Sequence, residues 1–316
     1  MSKGDIMKIV FLGTPDFGVQ ILNALVKVHD VVLVVTQPDS KVGRKQEIVF
    51  PPVKKRALEL GLDVFQPASI RAEYEYIQAH YDYDLIVSAA YGQIVGMKFI
   101  NSAKYRAINV HASLLPIGRG GAPIQRAIIN GDKETGISII YMEKGMDTGA
   151  ILAQESIPIE DSDTKETLFN KLGDLGAKMI NNTIDDLVNG KIKPIKQDEA
   201  KATYTYALTK EDEIIDFNKS AFLVNALVRG LGDIGATFSI NGENFKVYKM
   251  EVLEDVSKNP PKTIEEVSKK YFTIVCGDQK LIKIDELKPA GKNLMKVNDF
   301  LNGRGKNILI KGKKVD

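Results

Sequence analysis

Short apolar runs recur along the first half of the chain, and between them apolar positions fall three or four residues apart. Residues 8–12, 31–35, 84–89, 107–111, 137–141 and 150–157 have the length and composition of buried strands. Residues 17–28, 53–60, 71–80 and 124–130 have helical spacing or helix-forming composition, and 164–188 reads as one long helix. Thr164 supplies its N-cap, Asp163 and Glu166 lie near its positive end, and Gly190 follows its last turn. Strands alternating with helices predict an α/β domain, a sheet wound with helices on its faces. Periodicity then fades over 191–206, a polar stretch with Pro194 inside a lysine-rich run. Beyond it, 237–240 and 244–250 flank Asn241-Gly242, a hairpin signal, and 271–276 and 281–284 flank another turn. Short antiparallel strands predict a small barrel. The expected organisation is a first domain over 1–190, a linker over 191–206 and a second domain over 207–316.

Composition narrows this picture. A length of 316 residues favours two domains with a core in each. Cys276 is the single cysteine, so no internal disulfide forms, and without a Cys/His cluster no zinc motif can be written. No segment resembles a signal peptide, and no apolar run approaches the roughly 20 residues of a membrane-spanning helix. A cytoplasmic protein without a membrane partner is expected. The net charge of +2 is small, yet the end from Lys288 onward is locally basic, with eight Lys and Arg against Asp299 and Asp316.

Candidate chemistry centres on the strand 107–111. Strand side chains alternate with period two, so Asn109 and His111 project from one face. Pro116, Gly118, Gly120 and Gly121 then end regular structure, and sites on parallel sheets lie in such loops. A lone histidine at a strand end is ordinarily a core residue; the amide two positions away changes that weighting. His29 and His80 read as surface or capping residues near helix C-termini. Asp147, between Gly145 and Gly149, reads alone as a turn residue. The run from Gly13 to Gly18 lacks the GxGxxG spacing of a dinucleotide site, which argues against a redox cofactor. Lys41, Arg44 and Lys45 share a glycine-containing loop with two open readings, a solvated charged surface or a set of nucleic-acid phosphate contacts.

Taken together, Asn109-Val110-His111, the run Ser113 to Pro116, Arg119-Gly120-Gly121-Ala122-Pro123-Ile124-Gln125 and the loop Gly145 to Gly149 resemble the signature of folate-dependent formyltransferases. Further similarity at 11–17, 36–39, 90–94, 197–199, 208–211 and 288–292 extends it over essentially the whole chain. The resemblance implies a Rossmann-like domain with a mostly parallel wound sheet, followed by a small OB-like barrel that helps hold tRNA. It implies 10-formyltetrahydrofolate as formyl donor, no metal, and the α-amino group of methionyl initiator tRNA as acceptor, in support of translation initiation. It implies no obligate protein partner. The pterin would lie near Ser113, Leu114, Leu115 and Pro116 and near Tyr91, Gly92, Gln93 and Ile94. Asn109, His111 and Asp147 match the family's catalytic positions, and Arg44 matches a loop arginine that contacts the tRNA acceptor end, with Lys41 and Lys45 beside it.

In that chemistry an amine attacks a formyl carbon and a tetrahedral oxyanion forms. Asn109 and His111 are the expected donors to it, with Asp147 as the anionic neighbour that favours an imidazolium. The signature is shared by formyltransferases that act on the amine of a nucleotide-linked sugar, which is the rival enzyme reading. A non-catalytic RNA-binding protein is the rival from another class.

Overall fold

A computed structural model describes residues 6–43 and 46–316. The chain forms two compact units. The first takes in residues up to Gly121, then 135–157 and 169–205; the second comprises 122–134, 158–168 and 206–316.

The first unit is built on seven strands, β1 (Lys8–Gly13), β2 (Asp30–Val35), β3 (Val64–Phe65), β4 (Leu85–Ala89), β5 (Ala107–His111), β6 (Glu134–Tyr141) and β7 (Ile151–Pro158). Their order is β7-β6-β5-β4-β1-β2-β3. Strands β1 to β5 pair in parallel, and β6 runs antiparallel to β5. The sheet is therefore a Rossmann-like wound sheet, as the alternation of runs predicts. Its central strands are mostly apolar, without polar alternation in 9–12 and 31–35, because both faces are covered. Val10, Leu12, Leu33, Val35 and Ile86 pack on one face with Ile70 and Ile77 of α2 (Ile70–His80). Ile21, from the earlier helix α1 (Asp16–Leu25), belongs to the opposite face, where the helix Lys165–Val188 crosses at Gly176. A Cβ there would meet Ile21 at 2.8 Å and Val110 at 3.1 Å, so a glycine lets helix and sheet approach.

This winding has a consequence for the site. The chain moves outward from β1 through β2 to β3, then restarts at β4 on the other side of β1. The crevice beyond the carboxyl ends of β1 and β4 is the switch point, where ligands of open α/β sheets bind. Thr14 follows β1 and Tyr91 follows β4, and the Thr14 hydroxyl donates to the Tyr91 carbonyl at 2.8 Å.

Residues 191–205 lie in the first unit. Ile195 and Ile151 exchange backbone hydrogen bonds at 2.8 and 2.9 Å, and Tyr204–Thr205 pairs in parallel with Arg119–Gly120. One histidine departs from expectation. His29 is buried just before β2, beside Met7, the residue before β1, and its Nδ1 accepts a hydrogen bond from the Met7 amide at 3.4 Å. Burial holds the ring below the usual histidine range. His80 is exposed and stacks on Tyr76, 4.2 Å between ring centres.

The second unit carries the antiparallel sheet that its hairpin signals predict. Its strands are β8 (Ala236–Ile240), β9 (Glu243–Val256), β10 (Ile264–Val267), β11 (Phe272–Val275), β12 (Lys280–Pro289) and the short β13 (Met295–Lys296). The order is β8-β9-β12-β11-β10, with β13 on β12. Asn241 and Gly242 both take positive φ, the geometry of a tight hairpin turn, and join β8 to β9. Register shifts along β9 mark bulges that bend this long strand. Phe217, Phe238, Phe245 and Phe300 pack as a chain of rings with centres 5.4 to 6.0 Å apart. The helix Ala221–Leu231 closes this core with Ala221, Val224, Val228 and Leu231. The expected N-cap at Thr164 is present and reciprocal: its hydroxyl accepts from the Thr167 amide at 3.3 Å, and the Thr167 hydroxyl accepts from the Thr164 amide at 2.9 Å. Among the described residues no helix is long and apolar enough to cross a membrane.

Candidate active site

Strand β5 places Asn109 and His111 on one face, as its period of two requires, and its last residue is His111. The loop after β6 brings Asp147 to both of them. Asn109 Nδ2 lies 3.4 Å from Asp147 Oδ1, and His111 Nδ1 lies 3.6 Å from Asp147 Oδ2. The first is a weak hydrogen bond; the second is within ion-pair reach but longer than a hydrogen bond. His111 Nε2 sits 2.9 Å from the Gly118 carbonyl. A carbonyl only accepts, so Nε2 carries a hydrogen and Nδ1 is the nitrogen turned to the carboxylate. The imidazole is buried and the carboxylate nearly so, with side-chain exposures of 8% and 19%. In so little solvent a charge at either group is weakly screened.

The loops that hold this trio are themselves tied down. Asp147 Oδ2 accepts the Gly120 amide at 2.8 Å. Gly120 has φ +104°, and a Cβ on it would stand 2.5 Å from the Thr205 carbonyl, so no other residue fits. Asp147 has φ +53°, the left-handed region that costs a non-glycine residue about 1 kcal/mol or more. Gly149 passes so near Tyr141 that a Cβ would fall 1.8 Å from its carbonyl oxygen. Beneath the loop, Gln197 Nε2 donates to the carbonyls of Asp147 and Gly149 at 2.7 and 2.8 Å. Arg119, fully buried, donates from Nε to Gln197 Oε1 at 3.0 Å and forks onto Glu199 with two bonds of 2.8 Å. That guanidinium holds the Glu199 carboxyl below the usual carboxylate range.

The two segments expected to meet a pterin leave the ends of neighbouring parallel strands, β4 and β5. Tyr91 is buried, and its hydroxyl has no hydrogen-bond partner among the described residues. Gln93 is locked by the Ile70 amide at 2.9 Å and by Gln37 and Pro67, while Gly92 and Ile94 are exposed. In the other segment Ser113 Oγ donates to the Ile117 carbonyl at 2.7 Å. The Leu115 amide donates to Ser138 Oγ at 3.0 Å, and its carbonyl accepts from Gln154 at 2.9 Å. Leu114 and Pro116 are half-buried. Of the basic loop, Lys41 is exposed on a short strand, Ser40–Val42, that pairs with Glu47–Val49. Arg44 and Lys45 lie outside the described residues.

Comparison with known proteins accounts for both units. Residues 7–184 match the formyl transferase family, and 207–305 match the formyl transferase C-terminal domain. A methionyl-tRNA formyltransferase of Pediococcus pentosaceus is 44% identical over 304 residues, 95% of either chain, and that of Enterococcus faecalis is 44% identical over 310 residues, 97% of this chain and 99% of the relative. The chain belongs to the methionyl-tRNA formyltransferase family. It is thus a one-carbon transferase. Solved structures share the enzyme's fold at lower identity. An N-formyltransferase from Helicobacter canadensis, solved with folinic acid and dTDP-3-aminofucose, superposes with a TM-score of 0.68 at 21% identity, over 88% of this chain and 99% of that one. HypX from Aquifex aeolicus, solved with tetrahydrofolic acid, gives 0.66 at 15% identity over 95% of this chain and 47% of that one.

Sequence reasoning about chemistry passed over Arg119, Gln197 and Glu199 as working parts of the enzyme, although all three stand in segments similar to the family. The available signal was an arginine between glycines and a Gln-Asp-Glu run in an otherwise irregular stretch. Their partnership spans 78 positions between Arg119 and Gln197, which no periodicity reports.

Proposed function

We propose that the enzyme transfers the formyl group of 10-formyltetrahydrofolate to the α-amino group of methionyl initiator tRNA, with Asn109, His111 and Asp147 as its catalytic residues. The observation that carries the reading is the meeting of an amide, an imidazole and a carboxylate, drawn from a strand end and a distant loop, beside the crevice where such sheets bind ligands. The catalytic domain is taken as 1–190 and the domain that grips the tRNA as 207–316, joined by the segment 191–206, of which 191–205 packs on the first unit.

The donor fits the residues present. Tyr91 to Ile94 and Ser113 to Pro116 flank adjacent strand ends, and the buried Tyr91 hydroxyl lacks a partner among the described residues, one that a polar heterocycle could supply. Folate supplies the activated formyl group; the chain's residues orient it and stabilise charge. A free α-amino group has a pKa of roughly 8, so part of it is already a neutral nucleophile near physiological pH. The larger task is the oxyanion. Asn109 keeps one amide hydrogen for it beyond the one facing Asp147. The Nε2 hydrogen of His111 is held by Gly118, so Nδ1 is the ring nitrogen left to face the reacting centre, beside the Asp147 carboxylate. Lys41, Arg44 and Lys45 contact phosphates of the acceptor end.

The test offers methionyl initiator tRNA and an amino-sugar nucleotide side by side with 10-formyltetrahydrofolate. Turnover of the tRNA alone, weakening steeply with added salt, is expected. Turnover of the sugar nucleotide alone would move the enzyme to the rival substrate class.

A further inference from the structure

The Asp147 loop is held in a conformation it would not keep by itself. Its central residue has φ +53°, flanked by Gly145 and Gly149. The carbonyls of Asp147 and Gly149 both point inward at one side chain, Gln197, which is 5% exposed. All of that side chain's hydrogen-bonding groups are engaged, because its oxygen accepts from Arg119 Nε. A flipped amide would oppose oxygen to two carbonyls and nitrogen to a guanidinium, so the amide has one orientation. Arg119 cannot turn away, since Glu199 grips it with two bonds and the Tyr204 hydroxyl accepts from it at 3.2 Å.

We propose that Gln197, oriented by Arg119, is a positioning residue that sets the Asp147 carboxylate against His111 and Asn109. It touches no reacting atom. It clamps the backbone on both sides of Thr148 and so fixes where the Asp147 side chain leaves the main chain. Without the clamp the loop relaxes from its left-handed turn, and the 3.6 Å separation between His111 and Asp147 lengthens. Misplacement of such a group by about 1 Å costs on the order of a hundredfold in rate. The inference rests on the catalytic reading of Asp147, and its test separates the two.

The experiment measures single-turnover formyl transfer, with enzyme in excess, for the full chain carrying Gln197→Met, Asp147→Asn or both. Methionine keeps the buried volume while removing donors and acceptor, and Gln197→Ala is run beside it in case one variant fails to fold. The expected result is a rate roughly 30- to 100-fold lower for Gln197→Met, substrate affinities within about twofold of wild type, and no additional loss when the substitution is added to Asp147→Asn. Equal losses in both backgrounds would show a role independent of Asp147 and overturn the proposal, as would wild-type rates in both Gln197 variants. Full activity of Asp147→Asn would instead remove the catalytic reading on which the proposal stands.

Discussion

The site beneath Asp147 and the core of the second unit solve opposite problems. Under the loop, a fully buried arginine and a buried glutamine are held by directed bonds, each with a defined donor and acceptor. In the second unit, phenylalanines fill the space at the centre of the core. Directed bonds specify where a carboxylate sits to within a fraction of an ångström. Apolar packing specifies only that the volume is filled, and it supplies the stability. The comparison predicts that substitutions in the two places fail in different ways.

The largest effect on stability belongs to the phenylalanine chain. Phe245→Ala should lower the unfolding free energy by about 3–5 kcal/mol, read by urea denaturation, because the vacated volume sits between two aromatic neighbours. A loss below about 1 kcal/mol would mean the core collapses around the gap. Arg119→Met comes next, with a loss of about 1–3 kcal/mol, since Gln197 Oε1 is left without its donor. Glu199, 64% exposed, returns to water and adds little. If that variant instead unfolded as readily as Phe245→Ala, the buried arginine would be a main source of stability and the contrast between the two regions would fail.

A smaller effect tests charge in the second unit. Arg126 grips Asp212 with two bonds of 2.6 and 2.7 Å and holds its carboxyl at about 2, below the ordinary 3.8. A depressed carboxylate stabilises in full above its unfolded value and loses that contribution as pH falls through its folded one. The stability difference between wild type and Asp212→Asn should therefore be constant above pH 4 and vanish toward pH 2, as urea midpoints would record. The smallest is chemical. Burial pushes the Cys276 thiol up to about 12, so a thiol reagent at pH 8 should leave the native protein unmodified and react on unfolding.

How much of this was legible in the sequence follows from the same contrast. The central strands could be read because burial on both faces makes them mostly apolar, whereas β3, two residues long, has no pattern to read. The helix Ala221–Leu231 passed unread although Ser220 caps it and its buried residues keep helical spacing; the hairpins around it drew the reading to strands. Asn109 and His111 share a face by strand geometry alone. The approach of Asp147 to them is a loop closure, and the 35 positions between His111 and Asp147 say nothing of distance; only resemblance to a family suggested it. The clamp from Arg119 to Gln197 is tertiary in the same way.

The most direct test of the central claim is the rate of formyl transfer by Asn109→Ala, measured with 10-formyltetrahydrofolate and methionyl initiator tRNA beside a denaturation curve. Loss of one oxyanion donor predicts a rate lower by roughly a hundredfold or more, with the unfolding midpoint close to wild type because the amide makes one weak bond in the folded enzyme. Wild-type turnover from a folded variant would contradict it, and the meeting of Asn109, His111 and Asp147 would then be structural.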